Sequence, residues 1–515
     1  MKSFRRLGLL ALPVLLAAWL LWPVHLPSAR SCTDAGRAPQ LRPDYTGLVI
    51  PLNVAPLTFS VAEPGTRYVV RLSGQRGRAL VMTSRRGAMV PPARAWRALL
   101  AANREADLRV DVFVRGGFGR WTRFAPVTNR VSGDPVDGYV VYRRFRPFFN
   151  STGALTIRQR NLTSFDERTI MTRDEVGGGC MNCHTFQNRR PDSFLIHSRP
   201  REGIPAMTLV SGSQARTVDT RVGGSGPPAG YATWHPNGRL VAFSRNKILQ
   251  YFPQAGPRSK AALDVTSSLA VYDVCDDKTT VPTALNPPGR LPTFPCWSPD
   301  GDWLYFASAP ALWDKARFMP IDEQKRLRYD IQRAAYDATS GRFGPPQTVV
   351  SASAVNGSAL EPRVSPDGRF LVFTVCDSGS FPVFAERADL WLLDLTRPGA
   401  QPQPMEPGGS TRHDSFHSWS ENSRWLICAS KRDNGLLARL YLRHVAADGT
   451  ASRPFVLPQA DPTADDRDPT TYNVPEFVLG PITVSRAELQ RSLRATSTAP
   501  KPRSAPKQEG QAPEG

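Results

Sequence analysis

Four copies of one short pattern in the second half of the chain constrain its fold more than any other feature. The copies begin at Trp234, Trp297, Val364 and Trp419. Each has an apolar residue, a turn, and then an apolar strand, and the turn is of the Pro-Asp-Gly or Pro-Asn-Gly type in the first three. Such turns reach positive φ angles at low cost, so each copy predicts a β-hairpin. Ser423 replaces the turn glycine in the last copy, which predicts a looser turn there.

The spacing of the copies predicts how the hairpins assemble. They recur at intervals of about 50 to 65 residues, and outer-strand candidates follow them, as expected for the four-stranded blades of a β-propeller. A fainter fifth copy lies in 191–199, where His197 falls near the place that Phe243 holds in the next copy. A closing strand is predicted over 477–484, and six blades are predicted within a range of five to seven.

The Ser-Pro-Asp-Gly-x-x-Leu-x-Phe units resemble the repeat of TolB-type propellers. This resemblance covers about residues 190 to 480 and implies the propeller fold, but it implies hardly anything about function. The chain is therefore predicted to be all-β dominated, with a TolB-like β-propeller of about six blades at 191–484.

The first half of the chain predicts a second domain. Residues 33–175 alternate in the manner of strands and predict a β-rich, sandwich-like domain. One helix is predicted from Pro92 to Asn103, since proline suits the first turn of a helix. In 485–515, Ser485 and Glu488 fit a capping box for a short helix, and the Pro-, Lys- and Ser-rich end predicts a disordered tail.

Residues 176–190 contain Cys180-Met-Asn-Cys183-His184, a C-x-x-C-H motif, which is the attachment signature of a c-type haem. Cys180 and Cys183 would form thioether bonds to the haem vinyl groups, and His184 would be the proximal iron ligand. A zinc site would need a second ligand pair at similar spacing, and the sequence has no second C-x-x-C or C-x-x-H. One covalent haem c is therefore predicted, at the junction between the two domains.

Two residues are candidates for the sixth iron ligand. His197 is the first, because it lies on a strand expected to return toward the haem. The other copies of the repeat have an apolar side chain at this position. Met207 is the second, and a thioether ligand would raise the reduction potential. The alternatives are a strand histidine with local hydrogen bonds and a methionine in the core or on the surface.

The N-terminus predicts export. Lys2, Arg5 and Arg6 precede the uncharged, apolar run 7–24, as in a signal peptide or an N-terminal membrane anchor within 1–32. Cleavage stays open, with an uncleaved anchor slightly favoured. The body of the protein is predicted to lie in the periplasm, where a c-type haem is attached.

The chain is strongly basic, with 65 Lys and Arg against 45 Asp and Glu and a formal net charge of +20. Export and the scatter of the arginines argue against nucleic acid as the partner. A diffusely basic surface is one interpretation. Electrostatic steering toward an acidic redox partner or an anionic membrane is the other.

As a whole, the chain resembles envelope proteins that carry a TolB-like propeller behind a single c-type haem motif. The likeness is carried by 43–47, 53–57 and 180–186, and it brings no activity with it. The leading prediction is a periplasmic or membrane-anchored monohaem cytochrome that transfers electrons to or from a protein partner. One alternative is an envelope scaffold or a redox- or gas-sensing binding protein, and another is a haem enzyme of the reductase or peroxidase type. No catalytic residue is assigned.

Overall fold

The computed structural model describes residues 26–147, 154–201, 204–222, 226–251, 261–312, 323, 325–385, 387–406 and 413–497. The predicted signal or anchor run 7–24 and most of the predicted tail lie outside these residues. Within them, no helix is long and apolar enough to cross a membrane. The chain divides into two compact units: unit 1 is Met1–Pro135 with Pro458–Arg467, and unit 2 is Val136–Leu457 with Asp468–Gly515.

Unit 1 is rich in β-structure. Its strands are β1 Cys32–Asp34, β2 Leu41–Arg42, β3 Val49–Ile50, β4 Phe59–Val61, β5 Arg67–Ser73, β6 Leu80–Ser84, β7 Ala88–Met89, β8 Asp107–Arg115, β9 Trp121–Arg123 and β10 Val127–Val131. One sheet has the order β1-β9-β8-β10-β3, and in the same sheet β5 pairs with both β8 and β6. A smaller sheet has the order β2-β4-β7. Helix α1, Ala93–Ala102, confirms the helix predicted from the sequence, and it buries Trp96, Leu99 and Leu100 because they share one face.

The described residues of unit 2 form six blades of a β-propeller, which confirms the predicted fold class. The sixth blade begins with β11 Tyr139–Phe145, β12 Thr156–Asn161 and β13 Glu167–Thr172. Blade 1 consists of β14 Cys180–Phe186, β15 Ser193–Arg199, β16 Ala206–Ser211 and β17 Gln214–Asp219. Blade 2 consists of β18 Ala229–Trp234, β19 Leu240–Tyr251, β20 Ala261–Asp273 and β21 Lys278–Thr280. Blade 3 consists of β22 Arg290–Trp297, β23 Trp303–Pro310, β24 Asp330–Asp337, β25 Arg342–Phe343 and β26 Gln347–Val350. Blade 4 consists of β27 Ser358–Val364, β28 Phe370–Cys376, β29 Ala388–Asp394 and β30 Gln403–Pro404. Blade 5 consists of β31 Asp414–Trp419, β32 Trp425–Ser430, β33 Arg439–His444 and β34 Phe455–Val456.

The sixth blade closes the ring with strands from both ends of unit 2. Its innermost strand is β35, Thr471–Val478, which pairs with β11, and the sheet continues through β12 to β13. Strands within the predicted first domain, 33–175, therefore belong to the propeller, as does the predicted haem segment, 176–190. The repeat pattern could not show this, because the strands of this blade are not continuous in the sequence.

The repeated turns have the conformation that their sequence predicts. Gly238, Gly301 and Gly368 have φ angles of 75°, 84° and 73°. The looser turn predicted in the last copy is wrong: Ser423 reaches φ 59°, and its N–H donates to the Ser420 carbonyl at 3.0 Å. The corresponding bond of Gly368 measures 2.8 Å. The serine therefore keeps the same hydrogen-bonded turn.

The other described helical elements are two α-helices and several 3-10 turns. They are α2 Ala464–Arg467 in unit 1, α3 Arg486–Ser497 at the end of unit 2, and the 3-10 turns Ala29–Ser31, Arg173–Val176, Gln187–Arg189, Thr283–Leu285 and Pro382–Phe384. The Glu488 N–H donates to Ser485 Oγ at 3.1 Å, which is the cap predicted for the terminal helix.

Candidate functional site

The C-x-x-C-H motif forms β14, the innermost strand of blade 1. Cys180 is half-buried, and the exposed fractions of Cys183 and His184 are 4% and 3%. Cys183 Sγ accepts a hydrogen bond from the N–H of Tyr231 in blade 2 at 3.1 Å. His184 Nε2 lies 3.3 Å from the carbonyl oxygen of Val141 in blade 6. The two adjacent side chains therefore contact blades on opposite sides of blade 1.

Burial also sets the protonation of these groups. It raises the pKa of the Cys183 thiol and lowers the pKa of His184 to about 4. In each case a charged form inside the protein would lose its hydration. At neutral pH we therefore expect a neutral thiol and a neutral imidazole.

The strand register places both candidates for the sixth ligand away from His184. His184 pairs with Ile196, whereas His197 pairs with Met207 on the next strand. Directly paired residues share a face and successive residues alternate, so His197 and Met207 face the opposite side of the blade from His184. His197 is 1% exposed and packs edge-on against Phe243 at 6.3 Å, and Met207 is fully buried.

These contacts test whether the motif fits a haem. A porphyrin would need both thioethers and the His184 imidazole on one side of the segment. Here Cys183 and His184 face different blades, and Met181, Phe186 and other buried side chains pack in a core cluster beside the strand. As folded, these residues do not fit the group, and haem c stays a prediction from the motif alone.

A different set of residues occupies equivalent positions on the innermost strands of the blades. The innermost strand of every blade has an irregular register near its middle. In blades 2 to 6, a non-glycine residue with positive φ occupies this bulge: Tyr231 (46°), Phe294 (52°), Glu361 (55°), Phe416 (48°) and Val474 (50°). We call these five residues the axial ring. Positive φ is costly for such side chains and is concentrated at functional sites, so the ring is a candidate site.

Contacts between neighbouring blades join two pairs of members of the axial ring, Tyr231 with Phe294 and Glu361 with Phe416. The rings of Tyr231 and Phe294 have centroids 4.0 Å apart. Glu361 Oε2 accepts hydrogen bonds from the Phe416 N–H and from Thr374 Oγ1, each at 2.8 Å. Tyr231, Phe416 and Val474 are half-buried, so solvent reaches part of the ring.

Glu361 is the chemically unusual member of the axial ring. It is 3% exposed, and its Oε1 is buried without a hydrogen-bond partner among the described residues. Burial raises the pKa of its carboxyl to about 7. Burial raises the pKa of the Tyr231 hydroxyl, and the negative charges of Asp264 and Glu361 raise it further. A buried, incompletely bonded carboxyl that titrates near neutral pH is typical of a binding or catalytic site.

The repeat pattern missed this site, although it contained a signal. Tyr231, Phe294, Glu361 and Phe416 each stand three residues before the first residue of a repeat copy. Extending the four copies backward shows an aromatic residue in three of them and a glutamate in the other.

Comparison with known proteins gives no family for this chain. No family model matches the chain, and no curated protein matches it. Solved structures that are similar include the oligogalacturonate lyase of Vibrio parahaemolyticus, 10% identical over 62% of this chain and 73% of that chain, with a TM-score of 0.34. Another is prolyl oligopeptidase B of Galerina marginata, 10% identical over 67% and 42%, with a TM-score of 0.32. A luciferin-regenerating enzyme is 11% identical over 63% and 96%, with a TM-score of 0.36.

The packing of the C-x-x-C-H segment contradicts the function predicted from the sequence, electron transfer by a monohaem cytochrome, and that prediction is wrong. The residues that were to hold the iron are buried on opposite sides of a blade, with His184 Nε2 beside a backbone carbonyl. Among the described residues, no group of three or more His, Cys, Asp or Glu is arranged to hold a metal ion.

Proposed function

We propose that the propeller binds a small organic cation at its axis and that Glu361 is the anchor. The observation that carries this proposal is the Oε1 atom of Glu361, which is buried and has no partner among the described residues. Leaving a buried acceptor unsatisfied costs about 1–3 kcal/mol. A cation that donates to this oxygen, or lies against it, would recover that cost.

The aromatic neighbours favour a cation over a neutral ligand. Tyr231 and Phe294 form a pair at the corresponding bulges of blades 2 and 3. The faces of aromatic rings carry negative charge density, so they stabilise organic cations by about 0.5–2 kcal/mol. Glu361 occupies the corresponding bulge of the next blade, blade 4. A carboxylate combined with aromatic rings suits ammonium or guanidinium groups.

The first test is a thermal-shift titration with choline, ethanolamine, methylammonium and guanidinium. We expect at least one of these cations to raise the melting temperature in a saturable way. The neutral isostere of choline, 3,3-dimethylbutanol, is the control and should have no effect. Absence of a saturable response to every cation would contradict the proposal.

Two variants locate the site. Glu361→Gln keeps the size of the side chain but removes its charge, so cation binding should weaken at least about tenfold. Glu476→Gln is the matched control: Glu476 also lies on an innermost strand, and burial raises the pKa of its carboxyl to about 7. Its Oε1 already accepts hydrogen bonds from Phe186 N–H and Thr185 Oγ1. Equal weakening in both variants would remove Glu361 as the anchor.

We also propose that this chain is related to envelope proteins that have a TolB-like propeller behind a C-x-x-C-H motif. The Ser-Pro-Asp-Gly units and the segment 180–186 support it.

A further inference from the structure

One stretch of unit 1 is strongly basic. Residues 64–104 contain nine arginines and no Lys, Asp or Glu. Eight of these arginines are exposed, and none of the eight has an ion-pair partner among the described residues: Arg67, Arg76, Arg78, Arg85, Arg86, Arg94, Arg97 and Arg104. Unpaired charges of one sign on one stretch create a positive potential that attracts an acidic partner.

An open cleft of about 370 Å³ lies along this stretch. One wall is formed by residues 80–83 of β6, and the other by residues 88–90 with Pro92. Successive residues of a strand point to opposite faces, so a cleft lined by four consecutive residues runs along the edge of the strand rather than over one face.

That edge of β6 is not hydrogen-bonded to β7, which lies across the cleft. Among the described residues, β6 pairs only with β5, so its other edge carries backbone groups outside any ladder. The cleft is also apolar, since Leu80, Val81 and Met82 are half-buried and Val90 is 51% exposed. An open strand edge beside apolar side chains is a template for the addition of another strand.

Several of the arginines lie close in the sequence to the residues that line this cleft. Arg85 and Arg86 lie in the turn that joins β6 to β7, and Arg94 follows Pro92 in the first turn of α1. Arg76 lies in the turn before β6, and hydrogen bonds hold this turn against the end of α1. The Arg76 N–H donates to Asn103 Oδ1 at 3.0 Å, and Asn103 Nδ2 donates to the Arg76 carbonyl at 2.8 Å.

We propose that an extended acidic segment of a partner protein docks along β6 by strand addition. Backbone hydrogen bonds to the open edge would supply affinity, alternate apolar side chains would enter the cleft, and carboxylates would meet the arginines. A lipid surface fits less well, because acyl chains cannot pair with the open backbone groups of a strand edge.

The probe is a fluorescent peptide of about eight residues in which Glu and Val alternate, with binding followed by anisotropy on the full chain. We expect saturable binding that weakens at least about fivefold in high salt, because exposed charges are screened. Arg85→Gln with Arg86→Gln should weaken binding to a similar extent. The control, Arg120→Gln with Arg130→Gln, removes two exposed arginines elsewhere in unit 1 and should leave it unchanged.

A backbone-methylated version of the same peptide separates strand addition from simple charge attraction. Methylation of alternate amides removes the donors needed for a ladder but keeps every carboxylate, so binding should be lost. Equal binding of the methylated peptide would overturn the proposal. So would failure of the peptide to bind while vesicles of anionic phospholipid bind in an arginine-dependent way.

Discussion

Replacing Glu361 by glutamine should make the propeller more stable at alkaline pH. The glutamine side chain has nearly the same shape and can still accept the hydrogen bonds from Phe416 and Thr374. It cannot ionise, however, and ionisation of the buried carboxyl is the unfavourable step. The variant therefore isolates the cost of that charge.

The magnitude follows from the pKa of Glu361, which burial raises from 4.5 to about 7. The folded protein holds this proton more tightly than the unfolded chain does. Its contribution to stability is therefore fully present below about pH 4.5 and is lost as the pH rises through about 7. The difference between the two values corresponds to about 3 kcal/mol. The free energies of unfolding of variant and parent should thus be similar near pH 5 and differ by up to about 3 kcal/mol near pH 8, with the variant more stable.

Urea unfolding, followed by tryptophan fluorescence at several pH values between about 5 and 8, measures this difference. Asp448→Asn is the control. Hydrogen bonds from Thr450 lower the pKa of that exposed carboxyl, so its removal should add no stability at high pH. A difference between Glu361→Gln and the parent that stays constant across this range would refute the reasoning.

Three further changes have defined outcomes. Phe373→Ala, at a fully buried position in blade 4, should lower the free energy of unfolding by about 3–5 kcal/mol in urea titrations, and a loss below about 1 kcal/mol would contradict the packing. Arg439→Met should cost about 2–3 kcal/mol by the same assay, because this 2%-exposed guanidinium donates to two backbone carbonyl oxygens near β35; an unchanged midpoint would contradict that role. Haem c attachment is tested by the pyridine haemochrome band of protein from a host competent in cytochrome maturation. The packing of β14 predicts no band in the parent, and a band that disappears in Cys180→Ser with Cys183→Ser would contradict that packing.

The sequence predicted local structure well where residues close together in the chain determine that structure. Neighbouring residues determine the Pro-Asn-Gly turn that ends at Gly238 and the Pro-Asp-Gly turn that ends at Gly301. They also determine the helix after Pro92, and all three are found in the structure. The sixth blade depends instead on pairing between Tyr139–Phe145 and Thr471–Val478, at opposite ends of unit 2. No local pattern contains that information.

The candidate site shows the same limit. The C-x-x-C-H motif predicts an attachment chemistry, but it does not predict that Cys183 and His184 alternate across a strand. Glu361 attracts no notice in the sequence, because its environment is made by Phe416 and Thr374 from neighbouring strands. The unusual pKa of this carboxyl exists only once the blades are assembled.

Proton release on ligand binding tests the central claim most directly. Calorimetric titration with the cation that stabilises the protein, in buffers of different ionisation enthalpy near pH 6, gives the number of protons exchanged. If the cation is held by the ionised Glu361 carboxylate, binding should release about one proton, and Glu361→Gln should release none. Cation binding without proton release, or equal release from the variant, would contradict the claim that Glu361 anchors the ligand.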